Sequence, residues 1–316
     1  MSKTYDTIII GAGIAGAATA HALIHKNQKV LVLDKRGIAS GGSGAAGAFV
    51  SPKIGKGSSL QTLTNKAFSF AKDFYLATCP EYFHQTGVIR IPKDEADAKK
   101  FSEYAPFNEN KYENYKKEQL QEQGICSDFE SFYFPEAGDC DAKEVCEFLL
   151  SDIEVVQYDV KQIKQEDGLW CVADYSAKNL VLATGYESDL ADLRYMGIKG
   201  TWGTRGDFSS KLTLGVSMHQ SMSVGANIDS IIKLGATHEK AVKEPVPCED
   251  IQALLLKEKA SSLIDTSDLE LKEVFCGMRA GSKDYFPLVG KVIDVPFILE
   301  TYPTVTRGAK PEMKYV

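Results

Sequence analysis

Three glycines near the N-terminus, Gly11, Gly13 and Gly16, stand between an apolar run and an alanine-rich one. Gly11 can bend the chain from strand to helix. Gly13 lacks a Cβ, so backbone N–H groups can reach a pyrophosphate, and Gly16 lets the helix lie close on the strand. The helix N-terminus then faces the phosphate charge. Asp34 closes the next apolar run, where a carboxylate can accept from a ribose hydroxyl pair. The loop Ile38-Ala-Ser-Gly-Gly-Ser-Gly44 follows directly. Ser40 and Ser43 can donate hydroxyls to a phosphate, and the glycines admit a backbone close to a ligand; a solvated linker is the bland alternative. Ala183-Thr184-Gly185 ends a further apolar run. Weak alone, it gains weight in third position: a long extended dinucleotide fits this order, and a simple dehydrogenase has no need of it.

These residues need a strand–helix–strand frame. Tyr5 to Ile10 is β-rich and apolar, as in a strand buried on both faces. A helix from about residue 15 to residue 25 follows, with Ala18 and Leu23 on its packing side, and Lys29 to Leu33 is the second strand. Leu60 to Tyr75 carries Leu63, Ala67, Phe70, Ala71 and Phe74 at helical spacing. Thr86 to Pro92 reads as a strand. Residues 93–123 read as charged, solvated helices, with Lys111 to Lys117 in one of them. Further on, a helix over Val145 to Leu150 and strands over Ile153 to Tyr158, Gly168 to Val172 and Asn179 to Gly185 return to the α/β pattern. Residues 198–278 alternate strands with one helix, Cys248 to Ser261. The expected fold is α/β: a Rossmann-like nucleotide domain over 1–80, 138–192 and 280–316, interrupted by a discontinuous α+β substrate domain over 81–137 and 193–279.

The 316 residues allow two modest domains or one large one, and 44% hydrophobic with 25% charged residues is ordinary for a globular chain. A net charge of −7 excludes a polycation, so nucleic acid would have to meet a local patch. Lys35, Arg36, Lys53, Lys56, Lys66 and Lys72 lie in a stretch without an acid. They read either as a basic strip for RNA phosphates or as a solvated face plus neutralisation of a cofactor phosphate. No apolar run approaches the ~20 residues of a membrane span, and the start has no signal-peptide pattern. Seven cysteines, odd in number and without a CxxC pair, imply a reducing cytoplasm, buried free thiols, no disulfide framework and no metal site.

Gly11 to Gly16, Asp34, the Ala39-to-Gly44 loop and Ala183 to Gly185 together resemble the D-amino-acid-oxidase family, which includes glycine and sarcosine oxidases. Within it, Ala39 to Lys53, Asn65 to Tyr75, Thr204-Arg-Gly206 and Arg279 to Gly290 are similar to the oxidase domain of the MnmC family of tRNA-modification proteins. The resemblance is closest over residues 1–75 and 270–290. It implies bound FAD, with Gly11, Gly13, Ile14, Ala15, Gly16, Asp34, Lys35, Ser40, Gly42, Ser43, Gly44, Ala45, Ala46, Val160, Ala183, Thr184 and Gly185 around it. It implies hydride removal from the carbon beside a secondary amine, hydrolysis of the imine, and oxygen as electron acceptor. In the MnmC-like case the carboxymethylaminomethyl group of a tRNA wobble uridine becomes aminomethyl-uridine, with release of glyoxylate. Arg279, placed like the family's carboxylate-binding arginine, would grip the substrate carboxylate through two parallel N–H donors. An ion pair with Asp284 is the structural alternative. Tyr285 and Arg205 are further candidates for the substrate site. Cys276 is one residue off the spacing for covalent flavin attachment, which implies non-covalent FAD.

The chain also departs from the pattern. Ala45 and Ala46 stand where polar residues, including an arginine, often occur. The glycine-rich loop that meets the flavin's pyrimidine edge has no counterpart before Val316. The methyltransferase domain of bifunctional members has none either, which implies a separate methyltransferase partner. Two other readings compete: a small-molecule amine oxidase for glycine, sarcosine or a D-amino acid, and a flavin-binding non-oxidase or fragment.

Overall fold

Ile8, Ile9 and Ile10 are all buried, so the first strand, β1 (Lys3–Ile10), has apolar cover on both faces. The structure, a computed structural model, describes residues 3–187 and 189–308, and β1 is central in a six-stranded sheet. Helix α1 (Ile14–Ile24) leads to β2 (Val30–Asp34), which lies parallel to β1 with Ile9 opposite Val32. On its other side β1 pairs in parallel with Tyr175–Leu182, Ile9 opposite Val181. Ile9, Val30 and Val32 join a core with Ala17 and Ala20 of α1; Ile8, Ile10, Leu31 and Leu33 join the opposite one. Burial of each such side chain contributes roughly 1.5–3 kcal/mol, and a one-residue slip would exchange the two sets. Ala18, expected on the packing side of α1, is exposed; Gly16, Ala17 and Ala20 make the contact. In so alanine-rich a helix the apolar spacing carries little contrast between faces.

Helix α2 (Ser59–Thr78) also buries a different face from the expected one. Gln61, Asn65 and Phe68 are inside, while Leu63 is exposed and Phe70 is 72% exposed. The reason is hydrogen bonding. Gln61 accepts from Gly57 N (2.8 Å) and donates to Phe107 O (3.0 Å), and Asn65 accepts from Lys53 N (2.8 Å). Those side chains take up hydrogen bonds of the neighbouring loop backbone and so tie the loops to the helix.

The second sheet has eight strands. Named along the chain, they include β3 (Val88–Arg90), β4 (Lys199–Ser209), β5 (Ser217–His219), β6 (Ile231–Gly235) and β7 (Glu270–Gly281). Their order is β7, β4, β6, Ser223–Val224, β5, β3, Ser131–Phe134 and Glu113–Tyr115. Phe208, Met218, Ile232 and Leu234 pack beneath it on Ala253, Leu256 and Ala260 of α3 (Asp250–Ala260). Residues 111–117, expected to be helical, supply the edge strand Glu113–Tyr115. An edge tolerates their charges, which point to water. A three-stranded sheet of Phe49–Val50, Gly138–Cys140 and Phe83–His84 links the two larger ones. Its Phe83 and Cys140 share a core with α1, and the adjoining Asp141 accepts from Lys233 of β6 (2.6 Å).

Cys248 and Cys276 form a disulfide, with Cα atoms 5.7 Å apart, where no disulfide framework was expected and most cysteines were read as buried free thiols. Spacing in sequence carries no information on this pairing, which the run of β7 brings about. Cys79, Cys140 and Cys146 are free and buried. Among the described residues no helix is long and apolar enough to cross a membrane.

Candidate active site

The glycine turn is closed by backbone contacts. Gly11 has φ +111°, and a Cβ there would fall on Ala183 O; a Cβ at Gly16 would fall on Gly11 O. Gly11 N donates to Leu33 O (2.8 Å) and Ala183 N to Ile10 O (2.8 Å). Both small-residue turns and the end of β2 therefore form one rim. Asp34 stands on it, accepting from Ala12 N (2.8 Å), Arg36 N (2.8 Å) and Gly37 N (3.0 Å), with Ser40 Oγ at 3.4 Å. Ser43 Oγ accepts from Ile14 N (3.0 Å) at the N-terminus of α1, beside Gly13. The two serines thus divide, one at the acid and one at the helix end that favours an anion. Tyr158 N donates to Asp34 O (2.8 Å), which brings the buried Val160 beside β2. Lys35 is paired with Glu187. A turn with no room for Cβ atoms at Gly11, Gly13 and Gly16, a helix N-terminus and a hydroxyl placed on it fit an extended dinucleotide.

The loop beyond Asp34 presses on β7. A Cβ at Gly42 would stand 2.7 Å from Met278 O, and one at Gly277 2.8 Å from the Ala45 methyl. Arg205 of β4 fastens the loop. It is 6% exposed, donates to Gly44 O and Ala46 O, chelates Asp207 (2.8 and 3.2 Å) and lies 4.0 Å over the Phe275 ring. Every guanidinium nitrogen of Arg205 is engaged within the protein. Arg205 is therefore a strap on the loop rather than the substrate-facing group expected, and Ala45 and Ala46 contribute through packing and backbone.

Arg279 has a different environment. It is half-buried on β7, opposite Thr201, and its guanidinium lies over Gly203. Nη1 donates to His238 Nε2 at 2.5 Å, and among the described residues Arg279 makes no ion pair; Asp284 accepts instead from Phe286 N (3.2 Å). His238 Nδ1 faces Ala236 O at 3.2 Å, so the ring is a neutral donor–acceptor. Desolvation, and then the Arg279 charge, push the His238 pKa down, which keeps it neutral. Thr204 N donates to Thr237 Oγ1 (2.9 Å), which holds the segment in place. His238 was not anticipated. The signal available was its rarity, as one of five histidines, just beyond a strand.

Tyr285 lies elsewhere than beside His238. It is 81% exposed and lines a cavity of about 330 Å³ with Ser51, Lys53, Ile54, Leu60 and Arg90. Arg90 was also not anticipated, although a charge inside the apolar run Val88-Ile-Arg-Ile91 marked it. The acid-free stretch does not form a continuous basic strip. Lys35 and Arg36 pair with Glu187, Lys56 with Glu103 (2.5 Å) and Lys72 with Glu136 (2.6 Å). Acids distant in sequence neutralise it, and among the described residues only Lys53 and Lys66 of the six make no ion pair.

This frame, a dinucleotide rim joined to a sheet whose Arg279 has no acid partner among the described residues, is that of a flavin-dependent oxidoreductase. The sequence model of the FAD dependent oxidoreductase family, DAO, matches residues 6–302, and the chain belongs to that family. It is similar to the tRNA 5-methylaminomethyl-2-thiouridine biosynthesis bifunctional protein MnmC of Marinobacter nauticus, at 25% identity over 92% of this chain and 50% of the relative. The MnmC protein of Maricaulis maris is 38% identical over a shorter stretch, 30% of this chain and 16% of the relative. The chain spans about half the length of the curated relatives it matches along most of its course. Among solved structures, glycine oxidase from Geobacillus kaustophilus has the same fold, with a TM-score of 0.80 at 17% identity over 93% of this chain and 87% of that one.

Proposed function

We propose that this chain oxidises the carboxymethylaminomethyl group of a tRNA wobble uridine to aminomethyl-uridine, releasing glyoxylate. The observation that carries the reading is Arg279: a half-buried cation without an acid partner among the described residues, on the strand against which the glycine loop is pressed. A substrate carboxylate would complete it through parallel N–H donors. The names of the curated relatives, which refer to 5-methylaminomethyl-2-thiouridine biosynthesis in tRNA, support the choice of substrate.

Gly11 to Gly16, Asp34, Ser43, Val160 and Ala183 to Gly185 would hold FAD, which when bound would supply the acceptor for the hydride beside the secondary amine. The protein contributes position. Arg279 fixes the carboxymethyl end. His238, a neutral acceptor, orients the guanidinium, and the Arg205–Asp207 pair holds the loop. Water then adds to the imine carbon, and the carbinolamine splits into aminomethyl-uridine and glyoxylate. Molecular oxygen takes the electrons onward. In this reading residues 1–80, 138–192 and 280–316 form the FAD-binding part, and 81–137 and 193–279 the substrate part.

The test is anaerobic reduction of the FAD-loaded protein. Loss of the yellow band on adding tRNA that carries carboxymethylaminomethyl-uridine, but not on adding glycine or sarcosine, is expected. Loss with the small amines alone would overturn the reading in favour of a metabolic amine oxidase.

A further inference from the structure

A second guanidinium has no part in that scheme. Arg90 ends β3, after the fully buried Val88 and Ile89. One Nη donates to Ser51 Oγ, while Nε is closed off from solvent and has no hydrogen-bond partner. Among the described residues Arg90 makes no ion pair. Burial pulls its pKa down to about 10, so it stays a cation at neutral pH. No anion compensates it from the neighbouring strand. His219, opposite it on β5, is held neutral, its pKa pushed down to about 4 by burial and then by the Arg90 charge. An arginine kept without a counter-charge destabilises the fold unless a ligand supplies that charge.

The open side of Arg90 lines the cavity of about 330 Å³. Its walls carry a second cation, Lys53, the hydroxyls of Ser51 and Thr64, and the Tyr285 phenol; Pro52, Ile54 and Leu60 supply apolar surface, and no acid lines it. Lys53 has no acid partner among the described residues, and Asn65 fixes its backbone. The volume matches small-ligand pockets, whose lower bound is ~300 Å³. All the polar groups are donors or hydroxyls, which selects for an acceptor-rich ligand.

We infer that this cavity is an oxyanion subsite, which takes a carboxylate or a phosphate monoester at Arg90 and Lys53 and lays the organic body of the ligand on Ile54 and Leu60. The subsite does not depend on the tRNA reading. Arg279 has its own partner, His238, and lies on a strand separated from β3 by four others.

The experiment uses the FAD-loaded chain with Arg279→Ala, so that the other arginine cannot bind the probe. Melting temperature is followed with uridine 5′-monophosphate, inorganic phosphate, glyoxylate and, as a neutral control, uridine. A rise with glyoxylate alone identifies a carboxylate source, and a rise with the phosphates identifies a phosphate source. Uridine should give none. Adding Arg90→Met should abolish the rise and leave the ligand-free protein melting as high as its parent or higher, because an uncompensated charge is gone. Arg90→Lys, which keeps the charge and loses the planar fork, should weaken binding about tenfold. The inference is overturned if neither anion shifts the melting temperature, or if the shift survives Arg90→Met. A fall in ligand-free stability or a failure to fold with Arg90→Met would equally overturn it, since either would make Arg90 a structural residue. None of these outcomes bears on flavin reduction by tRNA.

Discussion

Arg205 and Arg279 sit on paired strands within one sheet, yet their surroundings give them opposite roles. Arg205 has a carboxylate, two carbonyls and an aromatic ring around it, so nothing is left for a substrate. Arg279 has a neutral histidine and, among the described residues, no acid partner. Arg279→Ala should therefore raise the KM for a carboxylate-bearing substrate by about a hundredfold, the loss of charge-assisted bonds worth ~3 kcal/mol, with flavin content unchanged. Steady-state kinetics and the flavin-to-protein absorbance ratio check this; an unchanged KM would remove the assignment. Arg205→Ala should do the reverse. It strands the largely enclosed Asp207, whose pKa desolvation already raises, and frees Gly44 O and Ala46 O. Breaking such a pair costs about 3–5 kcal/mol, so the melting temperature should fall and FAD should leave on dialysis. A variant that keeps its flavin and melts normally would show that the loop needs no strap.

Between elements, the joint that responds to pH is the cluster of His84, Asp141 and Lys233. It ties the three-stranded sheet to β6 through bonds of 2.7 and 2.6 Å. Burial works against ionisation of Asp141, but the bonds from His84 and Lys233 prevail and bring its pKa to about 2. The Asp141 bond raises the His84 pKa above its ordinary value. A lowered carboxylate stabilises the fold above its unfolded pKa and loses that contribution as pH falls toward 2. A raised histidine contributes fully below its unfolded pKa and loses its contribution as pH rises through the folded one. The joint is therefore strongest between about pH 4 and 6.5, with the Asp141 part worth about 2 kcal/mol. The melting temperature of wild type minus that of His84→Asn should peak in this window and shrink above it; a difference flat across pH would count against the joint. None of this was legible in sequence, since His84 and Lys233 belong to different sheets. What was legible is local: the consecutive apolar residues of β1, the glycine turn and Asp34 declare themselves within 34 positions. The buried face of α2 was misread because Gln61 and Asn65 are inside on account of backbone partners, which apolar spacing does not register. The same holds for Arg205, whose carbonyl partners lie some 160 positions away.

On the scale of the whole molecule the question is how a chain of net charge −7 could hold an RNA. The stretch from Lys35 to Lys72 looks like a basic strip only while acids from elsewhere are out of view. Glu187, Glu103 and Glu136 fold back onto four of its six cations, and among the described residues Lys53 and Lys66 alone make no ion pair. A surface ion pair is weak and screened, yet it removes the excess charge that would release counterions from a phosphate backbone. If tRNA is the substrate, most of its recognition falls to the modified base, with Arg279 at the carboxylate, and little to the phosphates. Each neutralised phosphate steepens the plot of log K against log salt by about 0.7–0.9. With two free cations in this stretch, and Arg90 as a third if a phosphate enters its cavity, the slope expected from it is between about −1 and −3. Titration of labelled tRNA at increasing salt measures it. A slope near −5 or steeper would mean that the paired lysines let go of their glutamates to take phosphates, and that the strip is a latent RNA surface masked in the free protein.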